Sequence, residues 1–468
     1  MSTVIGKSAS LATQIALGWF LSEEDFGLYA LTLSVALSVS VLRNGGTSQM
    51  LIQRGSEYGE LASNIYSFAS IFNLLAMLIL LVIAPFASKA CDAPQLIWMI
   101  VCIAISIPLG GPAMVLNAKL AIDKCFRTLS QIIMMNNLLR QGSTVGLAFL
   151  GFGPLSFVLP IIIEAIFGSL AGWWCVKAWP RYRCINFSVF WNIFSETRWI
   201  MLGALAIALT LYGDYLALGF LEDKATLGIY FFGFQLVTSI AVFFTNSIES
   251  VMLPMLAPLT SDPERQAIAF SRAASGICSI AIPLSVALAM LSEPVAHLLW
   301  RGKWDAAIPV MQLLFLSMPA WLLVSLSRSL IEARGMWRLR LLTIGLYGIG
   351  SMVMAAIGAS LGGLISIAAW IAGYRFIYGI TQMLFLSRYV GLSIFRIVWL
   401  IFLPLILSLI AAALSHYLVS HYSTFSSELV QVISIGFSFA FIFMLLSFSF
   451  QYRQWLEVLT VLYRRKAI

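Results

Sequence analysis

An all-α membrane fold is what this sequence predicts, with about fourteen transmembrane helices in two six-helix lobes plus an appended pair. Three observations predict it. The 468 residues are 60% hydrophobic and only 10% charged, with mean hydropathy +0.94, whereas a soluble protein carries about 25% charged residues. Apolar runs of about 20 residues, each long enough to cross a bilayer, recur along the chain with short polar gaps. Lys and Arg concentrate in alternate gaps. No polar stretch is long enough for a soluble domain, so lipid is the solvent for most of the surface. The net charge of +8 is assigned to loops facing an anionic leaflet, and no nucleic-acid partner is expected.

The first apolar segment, 3–20, is short and rather polar. It ends in Ser22-Glu23-Glu24-Asp25 instead of a small-residue cleavage site, so it is expected to be kept and not removed as a signal peptide. Segments follow near 26–42, 65–88, 95–116, 129–150 and 154–176, then 198–220, 226–250, 266–291, 306–327, 340–360 and 363–384, and finally 394–415 and 428–450. Tight hairpins are expected at Gly151-Phe152-Gly153-Pro154 and at Leu361-Gly362. Residues 451–468 mix Trp455, Leu456 and Leu459 with Arg453, Arg464 and Arg465, the pattern of an interfacial amphipathic helix.

With a cytoplasmic N-terminus, the inner gaps and tail hold 21 of the 28 Lys and Arg, and the outer gaps four. This asymmetry predicts an even number of crossings with both termini in the cytoplasm. A weak repeat runs through the chain. Phe20-Leu21-Ser22-Glu23 and Phe26-Gly27-Leu28-Tyr29 return as Phe220-Leu221-Glu222-Asp223 and Leu227-Gly228-Ile229-Tyr230. Pro108 matches Pro319, and 120–127 matches 330–338, at similar offsets. The expected organisation is an N-terminal lobe over 1–176, a C-terminal lobe over 198–384, appended helices over 394–450 and a cytoplasmic amphipathic tail over 451–468. Parallel repeats of this kind suit a transporter whose lobes expose a central cavity to each side in turn.

The stretch Leu21–Leu31, the run Leu51-Ile52-Gln53-Arg54 and the region 254–304 also carry a resemblance. The last contains Ile282-Pro283-Leu284 and Trp300-Arg301-Gly302-Lys303-Trp304. Together they resemble the Wzx-like polysaccharide flippases of the multidrug/oligosaccharidyl-lipid/polysaccharide exporter superfamily, whose fold is MATE-like. The resemblance implies a bacterial inner-membrane protein that moves a polyprenyl-pyrophosphate-linked oligosaccharide from the cytoplasmic to the outer leaflet. It implies as partners that lipid-linked glycan, the membrane lipids, and the polysaccharide polymerase and export machinery. The motifs are structural landmarks and do not specify the sugar.

A charge at the centre of a spanning helix costs roughly 2.5–3.5 kcal/mol on insertion scales, so such residues are either functional or paired. Arg140 and Glu164 lie equally far from the turn at 151–153. They are expected to meet at one depth, as a structural ion pair or as an anion or coupling site. Arg375, flanked by Tyr374 and Tyr378, is a candidate substrate ligand; snorkelling or a distant partner is the plainer reading. Asp214 is a candidate coupling carboxylate or a helix-end polar group. Arg43, Arg54, Lys7 and Arg272 are candidates for a cationic mouth that receives a pyrophosphate, against ordinary positive-inside anchoring. Glu249 either couples or neutralises a nearby Arg. Pro108, Pro112 and Pro319 interrupt helices and are candidate hinges or static kinks.

No cofactor or metal is expected. The six cysteines show no CxxC spacing and read as free thiols. A membrane enzyme is disfavoured, because no outer loop is long enough for a catalytic set of carboxylates. The alternative within transporters is a cation-coupled multidrug or metabolite antiporter, which the extra helix pair counts against.

Overall fold

The computed structural model describes residues 2–37, 39, 42–390, 394–422 and 428–450, so the expected tail helix over 451–468 lies outside the described residues. The described chain is helical: α1 Ser2–Phe20, α2 Glu23–Leu37, α3 Thr47–Gln53, α4 Tyr58–Ala90, α5 Gln95–Leu109, α6 Gly111–Ile122, α7 Phe126–Phe149 and α8 Leu155–Val176. Then come α9 Phe187–Leu221, α10 Lys224–Leu256, α11 Pro263–Trp300, α12 Ile308–Ala333, α13 Trp337–Val390, α14 Ile394–Tyr422 and α15 Glu428–Phe450. Within α13, Gly362 (φ 132°) and Gly363 (φ 73°) leave helical geometry, so it is two helices meeting at a glycine turn. Gly151 (φ 80°) and Gly153 (φ 53°) make the α7–α8 hairpin in the same way.

Among the described residues, nine helices are long and apolar enough to cross a membrane. The bent pair α5–α6, the second half of α13 and the three more polar helices α1, α2 and α7 complete the expected fourteen crossings. On α4 the division of faces is plain. Phe68, Phe72, Ala76 and Leu80 are buried, while Leu74, Leu78, Val82 and Phe86 are exposed. An exposed apolar stripe at helical spacing is what lipid requires.

One boundary differs from expectation, and of the two expected helix interruptions one breaks its helix and the other does not. Of the helix expected over 26–42, α2 is described as far as Leu37, and Arg43–Gly46 already form a separate tight turn, where Gly45-Gly46 disfavours helix. The short helix α3 then packs on α4, α6 and α9. The fourth segment breaks at Gly110, where α5 and α6 bend by 42°. Pro112 and Pro108 each remove a helical donor, and Gly110-Gly111 lowers helix propensity between them. Ser169 of α8 donates to the Leu109 carbonyl at 2.7 Å, satisfying an acceptor exposed at the break. At the matching place Pro319 stays inside an unbroken α12. It is followed by Ala320-Trp321-Leu322 instead of glycines, and α12 is the most deeply buried of the spans.

The chain divides into two compact units. Unit 1 holds Met1–Phe232 and Thr343–Ser360; unit 2 holds Gly233–Leu342 and Leu361–Ile468. Unit 1 has a core of Leu51, Ile65, Phe68, Val115 and Ile193. Within it α2 and the start of α10 cross backbone to backbone. A Cβ on Gly27 would strike the Lys224 carbonyl, and one on Gly228 would strike the Glu23 carbonyl. Gly228 and Lys224 each stand 201 positions after Gly27 and Glu23, so the contact is reciprocal, as about a two-fold axis. Unit 2 has a core of Phe270, Cys278, Leu326, Leu330 and Leu386. The pair α14–α15 packs on α11 in unit 2 through Val286, Leu407, Ala411 and Phe439.

Candidate functional site

In unit 1, α7 is the helix that lipid alone does not explain. Its sequence sets Asn136, Asn137, Arg140, Gln141 and Thr144 at helical spacing. Gln141 donates to Ser10 of α1 at 3.0 Å, which draws the polar face of α7 onto α1. Arg140 donates to Glu164 of α8 at 3.2 Å, as their equal distance from the hairpin turn requires. Both side chains keep about a third of their surface accessible, 36% and 30%. A purely structural pair in a lipid-solvated bundle is expected to be sealed; this one is only half-buried. Tyr29 of α2 lies within hydrogen-bond reach of the guanidinium, and Tyr212 of α9 within its field. Tyr29 is held flat against Phe157, with ring centroids 4.2 Å apart. Four helices thus converge on one cation, one carboxylate and two phenols, a set able to hold an anion beside hydroxyl-bearing ligands.

Asp214 is different. It is 2% exposed and accepts hydrogen bonds from the Tyr230 hydroxyl at 2.8 Å and from the Tyr215 amide at 3.0 Å. In unit 2, Arg375 is 3% exposed. Its guanidinium stacks between Phe234 at 4.8 Å and Trp321 at 4.9 Å, a cation held by two ring faces. Tyr374 and Tyr378 contact each other one turn apart, at 5.8 Å.

The other predicted residues distribute as follows. Arg43 is exposed in the turn after α2, within the field of Tyr212, because that turn packs against α9. Arg54 is exposed and paired with Glu196 at 2.7 Å and Glu57 at 4.0 Å. Arg272 is exposed on α11. Lys7 is on α1, with its side chain outside the described residues. Glu249 pairs with Arg328 at 2.9 Å, the neutralising option. At the N-terminal end of α4, burial and then the Asp123 carboxylate push Tyr58 up to about 12, so it stays a neutral hydroxyl beneath Lys119.

Sequence reasoning missed Tyr29, Tyr230, Phe234 and Trp321 as partners of the charged residues. The signal available was each charge's depth, which says nothing of the helix that faces it. Unit 2 also encloses an apolar cavity of about 330 Å³ beside Pro319, walled by α11, α12, α13 and α14, with Ser285, Ser317, Phe376 and Leu405 among its lining.

Residues 16–309 match the family described as "Polysaccharide biosynthesis protein". The succinoglycan biosynthesis transport protein ExoT of Rhizobium meliloti (strain 1021) is 24% identical over 300 residues, 64% of this chain. The teichuronic acid biosynthesis protein TuaB of Bacillus subtilis (strain 168) is 22% identical over 293 residues, 62% of this chain. Each match spans 60% of the relative's own length. Among solved structures, the lipid II flippase MurJ in an inward closed conformation superposes with TM-score 0.75 over 97% of this chain and 98% of its own, at 15% identity. An inward-facing MATE family multidrug transporter superposes with TM-score 0.64 over 82% and 94%, at 13% identity. At these identities the structures speak to the fold alone. The chain is a multi-pass membrane protein with the MATE-like fold, and it belongs to the polysaccharide biosynthesis protein family.

Proposed function

We propose that this protein is a flippase. It translocates a polyprenyl-pyrophosphate-linked oligosaccharide from the cytoplasmic to the outer leaflet of the bacterial inner membrane, for polysaccharide biosynthesis. The observation that carries this reading is the accessible Arg140–Glu164 pair with Tyr29 and Tyr212 on the polar face of α7, within a chain of this family. A pyrophosphate needs a cation. A glycan needs hydroxyl and amide groups with aromatic faces. The isoprenoid tail needs only lipid. Translocation proceeds by alternating access of the two repeats, with both termini in the cytoplasm. Arg43 stands beside Tyr212 as a second cation on the same path, and Arg54, Arg272 and Lys7 serve the entrance. The sealed Asp214–Tyr230 pair is the coupling carboxylate. Pro108 and Pro112 hinge one repeat and Pro319 the other. The glycan is handed on to the polymerase and export machinery.

The test is deletion of the gene followed by lipid analysis of the two leaflets, with complementation by wild type and by Arg140→Ala. Lipid-linked glycan trapped in the cytoplasmic leaflet, cleared by wild type and not by the variant, is expected. Undisturbed glycan export in the deletion strain sinks the proposal. The buried Asp214 favours one second reading, a cation-coupled antiporter; proton-dependent drug efflux with normal glycan export would select it.

A further inference from the structure

The stretch 173–199, from the end of α8 into α9, has no role in the path described above. It carries Lys177, Arg181, Arg183 and Arg198, all exposed. Its one carboxylate, Glu196, is held by Arg54 at 2.7 Å. Beside these cations the side chains of Trp174 (80%), Phe187 (78%), Tyr182 (71%) and Trp199 (61%) are exposed. At 1.5 Å per residue, α9 is about 52 Å long, against about 30 Å of hydrocarbon. Its apolar run Met201–Leu221 is about as long as the hydrocarbon is thick, so the residues just before Met201 enter the headgroup layer. Before Met201, one face of α9 packs inward through Phe190, Ile193 and Phe194 on Phe68 and Phe72 of α4. The opposite stripe, Phe187, Trp191, Arg198 and Leu202, is exposed.

Residues 177–186, with no helix of their own, are nonetheless fixed. The Tyr66 hydroxyl donates to that of Tyr182 at 3.2 Å, and the Arg183 amide donates to Ser67 at 2.8 Å. Both anchors are on α4. Tyr66 also lies 3.9 Å from where a Cβ would stand on Gly111, at the α5–α6 break. An extended strap that is basic and aromatic on its outside, and bonded to the protein on its inside, presents its cations to whatever lies at headgroup depth.

We propose that residues 173–199 form a docking surface for anionic lipid headgroups, with the aromatic side chains inserted at the interface and Lys177, Arg181, Arg183 and Arg198 paired to phosphates. Charge complementarity selects this occupant: the strap's cations match the negative potential of an anionic leaflet, and Trp and Tyr favour the interface. The surface is separate from the Arg140 site, so the proposal stands whether or not the chain is a flippase.

Cys184, exposed within the strap, supplies the probe. The full chain, with its five other cysteines replaced by serine, is labelled at Cys184 with an environment-sensitive fluorophore. It is then placed in nanodiscs of phosphatidylcholine alone or of equal parts phosphatidylcholine and phosphatidylglycerol. The expected result is a blue-shifted, less mobile label with phosphatidylglycerol, reversed by added salt. In the K177Q/R181Q/R183Q variant the affinity for phosphatidylglycerol falls by about tenfold or more. An unaltered thermal transition verifies that this variant is folded. Equal emission in the two lipids, or a shift that survives the triple substitution, overturns the proposal. So does a label protected in native membranes but not by phosphatidylglycerol, which would assign the surface to a protein partner.

Discussion

Arg140 and Arg375 are both guanidiniums inside apolar helices, yet the two sites are built from opposite materials. Arg140 meets a carboxylate and two phenols, and a third of its side chain is accessible. Arg375 lies between two aromatic faces and is 3% exposed. The first arrangement leaves donors available to a ligand. The second holds the cation between the faces of Phe234 and Trp321. Accessibility therefore separates a charge that can meet a ligand in this state from one that cannot.

The largest expected effect tests the open site. Arg140→Ala should cost about 1 kcal/mol of stability or less, since a pair this accessible is weakened by solvent. It should lower substrate affinity by about 2 kcal/mol or more, roughly 30-fold, because a pyrophosphate loses its cation. Thermal unfolding and glycan export are the two readings. The reversed pair, Arg140→Glu with Glu164→Arg, should fold and remain inactive. If it exports normally, the pair is structural and the contrast collapses.

The sealed site should respond the other way. Arg375→Ala removes two cation–π contacts and opens a hole, at a cost of about 3 kcal/mol. Arg375→Lys should recover part of it, because an ammonium still attracts the rings but cannot stack on them. Trp fluorescence during thermal unfolding follows this directly, since Trp321 is one of the rings. An Arg375→Ala protein that unfolds like wild type but exports nothing would make Arg375 a substrate ligand.

Asp214 extends the comparison to a sealed anion. Asp214→Asn keeps an acceptor for the Tyr230 hydroxyl, so its stability should change by only about 1 kcal/mol. If Asp214 couples protons, the pH dependence of export should flatten in this variant. An unchanged pH profile assigns Asp214 a structural role, accepting from the Tyr230 hydroxyl and the Tyr215 amide.

Much of this contrast could be read along the chain, and part of it could not. Counting residues from the hairpin turn put Arg140 and Glu164 at one depth, because rise per residue is constant in a helix. The apolar runs and glycine turns located the crossings for the same reason. Rotation about each helix axis is not encoded in depth. Nothing near residue 140 points to Tyr29 or Tyr212, and nothing near 375 points to Phe234 or Trp321, because those contacts come from helices distant in sequence. The turn at Arg43–Gly46 was equally hidden, because hydrophobicity runs up to it while Gly46, at φ 67°, leaves helical geometry.

The smallest expected effect concerns the two proline sites, where the repeats diverge once more. Between Pro108 and Pro112 two donors are lost around Gly110-Gly111, and the helix bends by 42°. At Pro319 one donor is lost within a tightly enclosed helix that continues to Ala333. The bend has its own brace, the 2.7 Å hydrogen bond from Ser169 to the Leu109 carbonyl. Ser169→Ala should remove about 1 kcal/mol without touching the Arg140 site, visible as a small fall in the unfolding temperature. If the bend is a working hinge held by that bond, hydrogen exchange at 110–114 should rise in Ser169→Ala while exchange across 317–323 stays as in wild type. Equal protection at 110–114 in both proteins would make the bend a rigid kink, set by its prolines and glycines alone.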